Sequence, residues 1–202
     1  FALFAPHLEE VVALTRDKAQ VLSQALGLAP YDALIDGFSP GFLSAEIDQL
    51  FRVVSRRLPG LIRDAIELQA ARPPLPLGGK VSTSKQRSLV VEVMRTIGFP
   101  FDRGRLDGSD HPFTEGVHGD VRVTTRFVPQ EPFTGLMGAL HETGQAMYDL
   151  GLPKAWCDQP VGRDRGMALE ESQSLLLEML IGRSRPFLTY LRPLLEKHFG
   201  AT

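Results

Sequence analysis

One cysteine, Cys157, stands among the 202 residues of the chain. That excludes an internal disulfide and a cysteine-built zinc site, and it points to a reducing, cytoplasmic setting. No apolar run approaches the roughly 20 residues needed to span a bilayer, so no membrane segment is expected. Neither sign of charge dominates. With 22 basic and 24 acidic side chains the net charge is −2, which speaks against nucleic acid or an anionic membrane surface as partner. The opening FALFAPHLEE lacks the basic region, long apolar stretch and cleavage site of a signal peptide. It also lacks an initiator methionine, so the chain reads as a processed product or an excised piece. What is present is ordinary: 43% apolar residues, enough for a single domain over 1–202 with its own core.

Periodicity makes the fold mainly helical. Apolar residues fall at helical intervals from Pro6 to Leu28, and Gly27 marks the stop. YDALIDGFSPG then reads as a Gly/Pro-rich connection. A second helix starts at Ser44 and carries one stripe from Ile47 to Ala65, with a kink or two abutting helices expected at Pro59. RPPLPLGG breaks the chain. A third helix is capped by Ser82, Thr83 or Ser84 and stops at Gly98. GDVRVTTRF alternates in the manner of a strand with two unlike faces. Thr134 is the expected N-cap of the next helix, which ends near Gly151 and Pro153. After a loop, a long helix spans Gly166 to Ile181 and a shorter one follows Pro186.

The chemistry is concentrated in GALHETGQAMYDLG, residues 138–151. His141 and Gln145 lie four residues apart and share a helix face, with Glu142 beside them. Zinc peptidases use this spacing: two ligands one turn apart hold the metal, and the glutamate acts on the metal-bound water. A third ligand must come from elsewhere, and Glu170 and Glu171 at the start of the next long helix are the candidates. Read alone, the string fits a polar helix face with a satisfied histidine better than a metal site. Its surroundings shift the balance. Leu136, Leu140, Thr143, Met147 and Leu150 predict a buried stripe flanking the ligand face. Gly144 costs on the order of 1 kcal/mol inside a helix, which predicts close approach of a second backbone there or tight helix packing.

Taken together, HPF at 111–113, DVRVTT at 120–125, LMGALHETGQAMYDLGLP at 136–153 and ESQS at 171–174 resemble the M32 metallocarboxypeptidases, the carboxypeptidase Taq family. YDALIDGFSPG and IGRSRPF are similar to that family as well. The resemblance implies a zincin-like helical peptidase fold with a small β element beside the active-site helix. It implies release of single C-terminal residues from peptides using one divalent metal ion, most naturally zinc, and it implies homodimerisation. His141 matches the first ligand, Glu142 the general base and Glu171 the third ligand. Asp120, Arg122 and Thr124 match an Asp-x-Arg-x-Thr motif. Arg122 is either a substrate contact, on an edge strand able to pair with extended peptide, or half of a structural ion pair with Asp120. Tyr148, one turn beyond Gln145, either lines the cleft or belongs to the core. His111 reads as architectural.

Three departures qualify the match. Gln145 stands where the family has its second ligand histidine, and an amide oxygen is a weaker donor to zinc than imidazole. Such a site binds metal loosely, prefers an oxygen-loving ion, or stays empty. Glu170 replaces the histidine before the ligand glutamate, and either adds a second carboxylate to the site or points to solvent. Family members are also longer at both ends, so the chain is expected to be an incomplete portion of a longer enzyme. The alternative function is a metal-poor pseudoenzyme of the same fold, serving as a peptide-binding or oligomerisation module.

Overall fold

Residues 1–72, 79–164 and 166–200 are described by the computed structural model of the chain. The RPPLPLGG break falls almost entirely outside them. The chain divides into two units, Phe1–Pro76 and Leu77–Thr202.

The first unit holds three helices, α1 (Ala5–Leu26), α2 (Pro30–Asp36) and α3 (Ser44–Ala71). α1 stops at Gly27, as predicted. α2 occupies part of the segment read as a connection. Pro30 sits in its first turn, where the missing N–H costs nothing. The Ser44 backbone N–H donates to Asp32 Oδ1 at 2.8 Å. That bond joins α2 to the start of α3, and the Ser44 hydroxyl first, with this backbone N–H second, holds the Asp32 carboxyl below its usual range. α3 runs as one element through Pro59, so of the two arrangements expected there, two abutting helices are not what forms. Its apolar stripe exists, yet no residue of α3 is buried. Among the described residues of this unit, only Ala19 and Ala33 are buried apolar side chains.

The second unit carries the core. Its elements are α4 (Thr83–Ile97), β1 (Gly104–Gly108), β2 (Phe113–Val117), β3 (Asp120–Thr125), α5 (Thr134–Gly151), α6 (Met167–Leu175), a π-helical turn (Leu176–Ile181) and α7 (Arg185–Phe199). Two short 3-10 turns, Lys154–Trp156 and Pro160–Gly162, interrupt the loop after α5. Of the three candidate caps of α4, Ser82 is the one whose hydroxyl accepts from the Lys85 N–H, at 3.4 Å. α5 begins at Thr134 itself, one residue earlier than expected, and the Thr134 hydroxyl donates to Glu131 Oε2 at 3.1 Å instead of capping. The predicted long helix from Gly166 changes register at Leu176, and α7 is a full 15 residues long.

β3 is the strand read from the sequence. It is the central strand, not an edge: the order is β1–β3–β2, with β1 parallel and β2 antiparallel to it. β1 and β2 escaped notice because GRLDG and FTEGV are rich in glycine and charge, which are poor strand formers. Register decides what each face carries. Thr114 pairs with Val123 and Glu115 with Arg122. Cross-strand partners share a face, so Thr114 lies on the side of the buried Val123 and Glu115 on the outer side with Arg122. Leu89, Val90, Val93 and Met94 of α4, Leu106, Val121 and Val123 of the sheet, Leu136 and Leu140 of α5, and Phe187 and Leu191 of α7 form one continuous core. Among the described residues no helix is long and apolar enough to cross a membrane.

Candidate active site

α5 is held on two sides. Leu136, Leu140 and Thr143 of its predicted stripe are buried, and Met147 and Leu150 pack partly buried against the core. On the sheet side the Thr125 hydroxyl donates to the Gly135 carbonyl at 2.9 Å. On the other side α5 meets α6 backbone to backbone. A Cβ at Gly144 would lie 2.5 Å from the Gln173 carbonyl oxygen and 2.6 Å from Ser174 Cα. The helical glycine therefore marks a second backbone, one of the two readings its presence suggested. Gly144→Ala sets two effects against each other: a gain of about 1 kcal/mol in helix propensity and an overpacking cost of about 1–3 kcal/mol. Because the contact is with backbone, overpacking should win. Denaturant unfolding should show a net loss, and a more stable alanine variant would contradict the close contact.

This crossing brings three of the sequence candidates together. Gln145 Nε2 donates to Glu171 Oε2 at 3.2 Å and lies 3.4 Å from His141 Nε2. His141 Nε2 lies 3.6 Å from Glu171 Oε2. Glu142, one residue from His141, is 5% exposed. Burial is the main reason its carboxyl sits above the usual range. The Thr114 hydroxyl pulls the other way, and the nearby His141 more weakly so. Thr114 Oγ1 lies 2.7 Å from Glu142 Oε2 and 2.9 Å from the Glu142 carbonyl. Its hydrogen thus anchors one carboxyl oxygen and leaves Oε1 for another partner. His111, Pro112, Gly138, His141, Glu142 and Glu178 line a cleft of about 260 Å³.

A tetrahedral cation with bonds of about 2.0–2.2 Å holds its ligand atoms about 3.3–3.6 Å apart. The His141, Gln145 and Glu171 atoms are spaced in nearly that way. Among the described residues no group of three or more His, Cys, Asp or Glu side chains is arranged to hold a metal ion. The candidate set has two strong donors, an imidazole and a carboxylate, and its third member is an amide. That amide now turns its nitrogen inward, and must rotate to offer its oxygen. The donor set fits a divalent cation on those terms.

Arg122, Tyr148 and Glu170 are the remaining candidates. Arg122 is exposed on the outer face of β3, where its Nε donates to Asp120 Oδ1 at 2.9 Å. The ion pair holds the Asp120 carboxyl below its usual range. Both edges of β3 are taken, so an extended peptide cannot add to that strand. Tyr148 is half-buried on α5. Glu170 is half-buried too. Its carboxyl is raised first by burial and then by Asp149, Asp164, Glu171 and Glu115, so it adds to an acidic cluster rather than projecting freely into solvent. Sequence reasoning missed Thr114, Glu178 and the place of His111 in the cleft. Glu178 had a legible signal: it lies seven residues after Glu171, two helical turns along one face. Thr114 had none, because β2 was not recognised as a strand.

A family model described as carboxypeptidase Taq (M32) metallopeptidase matches residues 1–202. Thermostable carboxypeptidase 1 of Thermus thermophilus is 39% identical over 194 residues, covering 91% of this chain and 38% of the relative. Carboxypeptidase 1 of Bacillus subtilis is 34% identical, covering 94% of this chain and 38% of the relative. Among solved structures, Trypanosoma cruzi metallocarboxypeptidase 1 superposes with a TM-score of 0.88 at 40% identity, over 100% of this chain and 41% of that one. The chain thus spans about two fifths of the length of these relatives.

Proposed function

The chain belongs to the carboxypeptidase Taq (M32) metallopeptidase family, and from that premise we propose that it forms part of a metal-dependent carboxypeptidase releasing C-terminal amino acids from peptides. The observation that carries this reading is the convergence of His141, Gln145 and Glu171 beside the buried Glu142. His141 through Nε2, Glu171 through a carboxylate oxygen and Gln145 through its amide oxygen would hold one divalent cation, zinc by the family pattern. When bound, that ion supplies Lewis-acid polarisation of the scissile carbonyl and acidifies a water.

The chain's own residues do the rest. Glu142 Oε1, left open by the Thr114 anchor on Oε2, accepts the proton of the attacking water and returns it to the leaving amine. Burial favours this work, because a carboxyl raised above its usual range takes a proton more readily and can still return it. Arg122 and Tyr148 enter the proposal as substrate contacts outside the ligand cluster. Homodimerisation and a cytoplasmic setting enter it on the family resemblance.

Release of the C-terminal residue from N-blocked dipeptides, with zinc titrated calorimetrically, tests the reading. The assay is best run on the chain carried in a protein of the relatives' full length. Absence of both metal uptake at micromolar concentration and turnover would sink it. The Thr114 contact gives a pH prediction. Thr114→Val removes a hydrogen bond that lowers the Glu142 carboxyl, so that carboxyl should titrate higher. Because the base acts ionised, the acid limb of the kcat/KM profile should move to higher pH, and an unmoved limb would dissociate Thr114 from the base.

One observation favours the second reading, a metal-poor module. The Gln145 amide hydrogen-bonds Glu171 and approaches His141 Nε2 in the role a cation would take. Gln145→His separates the two readings.

A further inference from the structure

We propose that Glu178 is a positioning residue that fixes which nitrogen of His141 faces the ligand cluster. The assignment matters for catalysis only if the metallopeptidase reading holds, but its geometry stands independently. His141 Nδ1 lies 3.1 Å from Glu178 Oε2, and His141 Nε2 lies 3.4 Å from the Gln145 amide nitrogen. An ionised carboxylate only accepts and an amide NH₂ only donates. Nδ1 therefore carries a hydrogen, and Nε2 presents its lone pair to the Gln145 amide. Either partner alone would leave the ring free to turn over. The two together fix one orientation.

Glu178 is itself held. The Arg183 guanidinium donates through Nη2 to Glu178 Oε1 at 2.8 Å, which leaves Oε2 for the imidazole. The Glu178 side chain is 18% exposed and lines the same cleft as His141 and Glu142. Its backbone lies on the π-helical turn Leu176–Ile181, a distortion that gathers at functional sites and re-aims the side chains it carries. The turn closes tightly on α5. A Cβ at Gly182 would fall 2.8 Å from the Glu178 carbonyl oxygen and 2.8 Å from Leu140 Cδ1, the residue before His141. The change of register, the ion pair and the imidazole contact thus form one chain, from Arg183 through Glu178 to His141. A carboxylate behind a ligand histidine fixes its tautomer and raises its basicity, and losing such a partner typically lowers metal affinity by about 10- to 100-fold.

The test reads the tautomer directly. Long-range ¹H–¹⁵N NMR of the metal-free intact chain, at a pH where the imidazoles are neutral, should show His141 protonated on Nδ1. In Glu178→Ala the signal should shift towards the Nε2–H form, and zinc affinity by calorimetry should fall by about 10- to 100-fold. An unchanged tautomer with unchanged affinity overturns the proposal. Glu178→Gln covers an alanine variant that fails to fold. Its amide oxygen still accepts from Nδ1, so the parent tautomer with a smaller loss of affinity, about tenfold, is expected, and parent-like affinity in this variant would overturn the assignment. If the parent chain binds no zinc yet the tautomer shifts, the metallopeptidase reading fails and the positioning role stands. If zinc binds equally tightly to parent and variants with no tautomer change, the reverse holds.

Discussion

Glu142→Gln is expected to lower kcat by about 10²–10⁴-fold, the usual span for a removed general acid–base, with KM and zinc affinity little changed. The substitution keeps the shape and the Thr114 hydrogen bond but removes the oxygen that can accept a proton. Stability separates this outcome from simple damage. Burial raises the Glu142 carboxyl, so the folded state binds its proton more tightly than the unfolded chain. Any such contribution is fully present in acid and is lost as pH rises through the raised pKa. Ionising the buried Glu142 is therefore a cost to folding, and glutamine relieves it. Unfolding followed against pH should show the variant gaining on the parent as pH rises through that raised pKa, and holding the gain above it. A variant that loses activity and stability together would make Glu142 a structural residue, and one that keeps its activity would remove it from the mechanism.

The second large effect is a gain. Gln145→His exchanges an amide for an imidazole one helical turn from His141, at a position already within 3.4 Å of His141 Nε2. Imidazole is the donor suited to zinc, whereas carbonyl oxygen suits magnesium, calcium and manganese. Zinc affinity should rise on the order of 100-fold, about 2.8 kcal/mol, and selectivity over manganese should rise with it. Activity then discriminates. In a working enzyme that tolerates its amide, turnover at saturating zinc should change little. In a metal-poor module the histidine should create zinc binding where the parent has none. Unchanged zinc affinity would mean that position 145 does not face the ion, and the three-donor site would fall.

The ligand helix was legible because two kinds of signal coincide there. Leu136, Leu140 and Thr143 recur at helical spacing and are buried, while His141, Glu142 and Gln145 occupy the adjoining face. Glu171 was legible for a weaker reason: a carboxylate at the start of the next apolar helix. The sheet shows where such reading ends. β3 alternates and was found, but β1 and β2 are strands by virtue of pairing with it, and pairing is a non-local property. Thr114 was lost with β2. The central position of β3 could not be known without its partners, so substrate pairing stayed open beside the Asp120–Arg122 ion pair for a strand that has no free edge. α2 went unread because seven residues opened by a proline carry too little period to outweigh the turn residues around them. Glu178 was within reach of the helical repeat, but its contact with His141 depends on a change of helical register that no residue pattern announced.

The spacing of α5 and α6 is set at Gly144, one residue before the exchanged ligand. Distance and donor strength are therefore governed by different positions. Gly144 acts as a gauge, holding the helices at one separation whatever stands at 145, because its contact is backbone against backbone. A lineage carrying this chain can exchange its ligand at 145 without the helices drifting apart, and can regain it without retuning the fold. On the proposed function, a weaker metal grip through Gln145 is in that sense reversible by one substitution, whereas a side chain at Gly144 would push the two backbones apart whatever stands at 145.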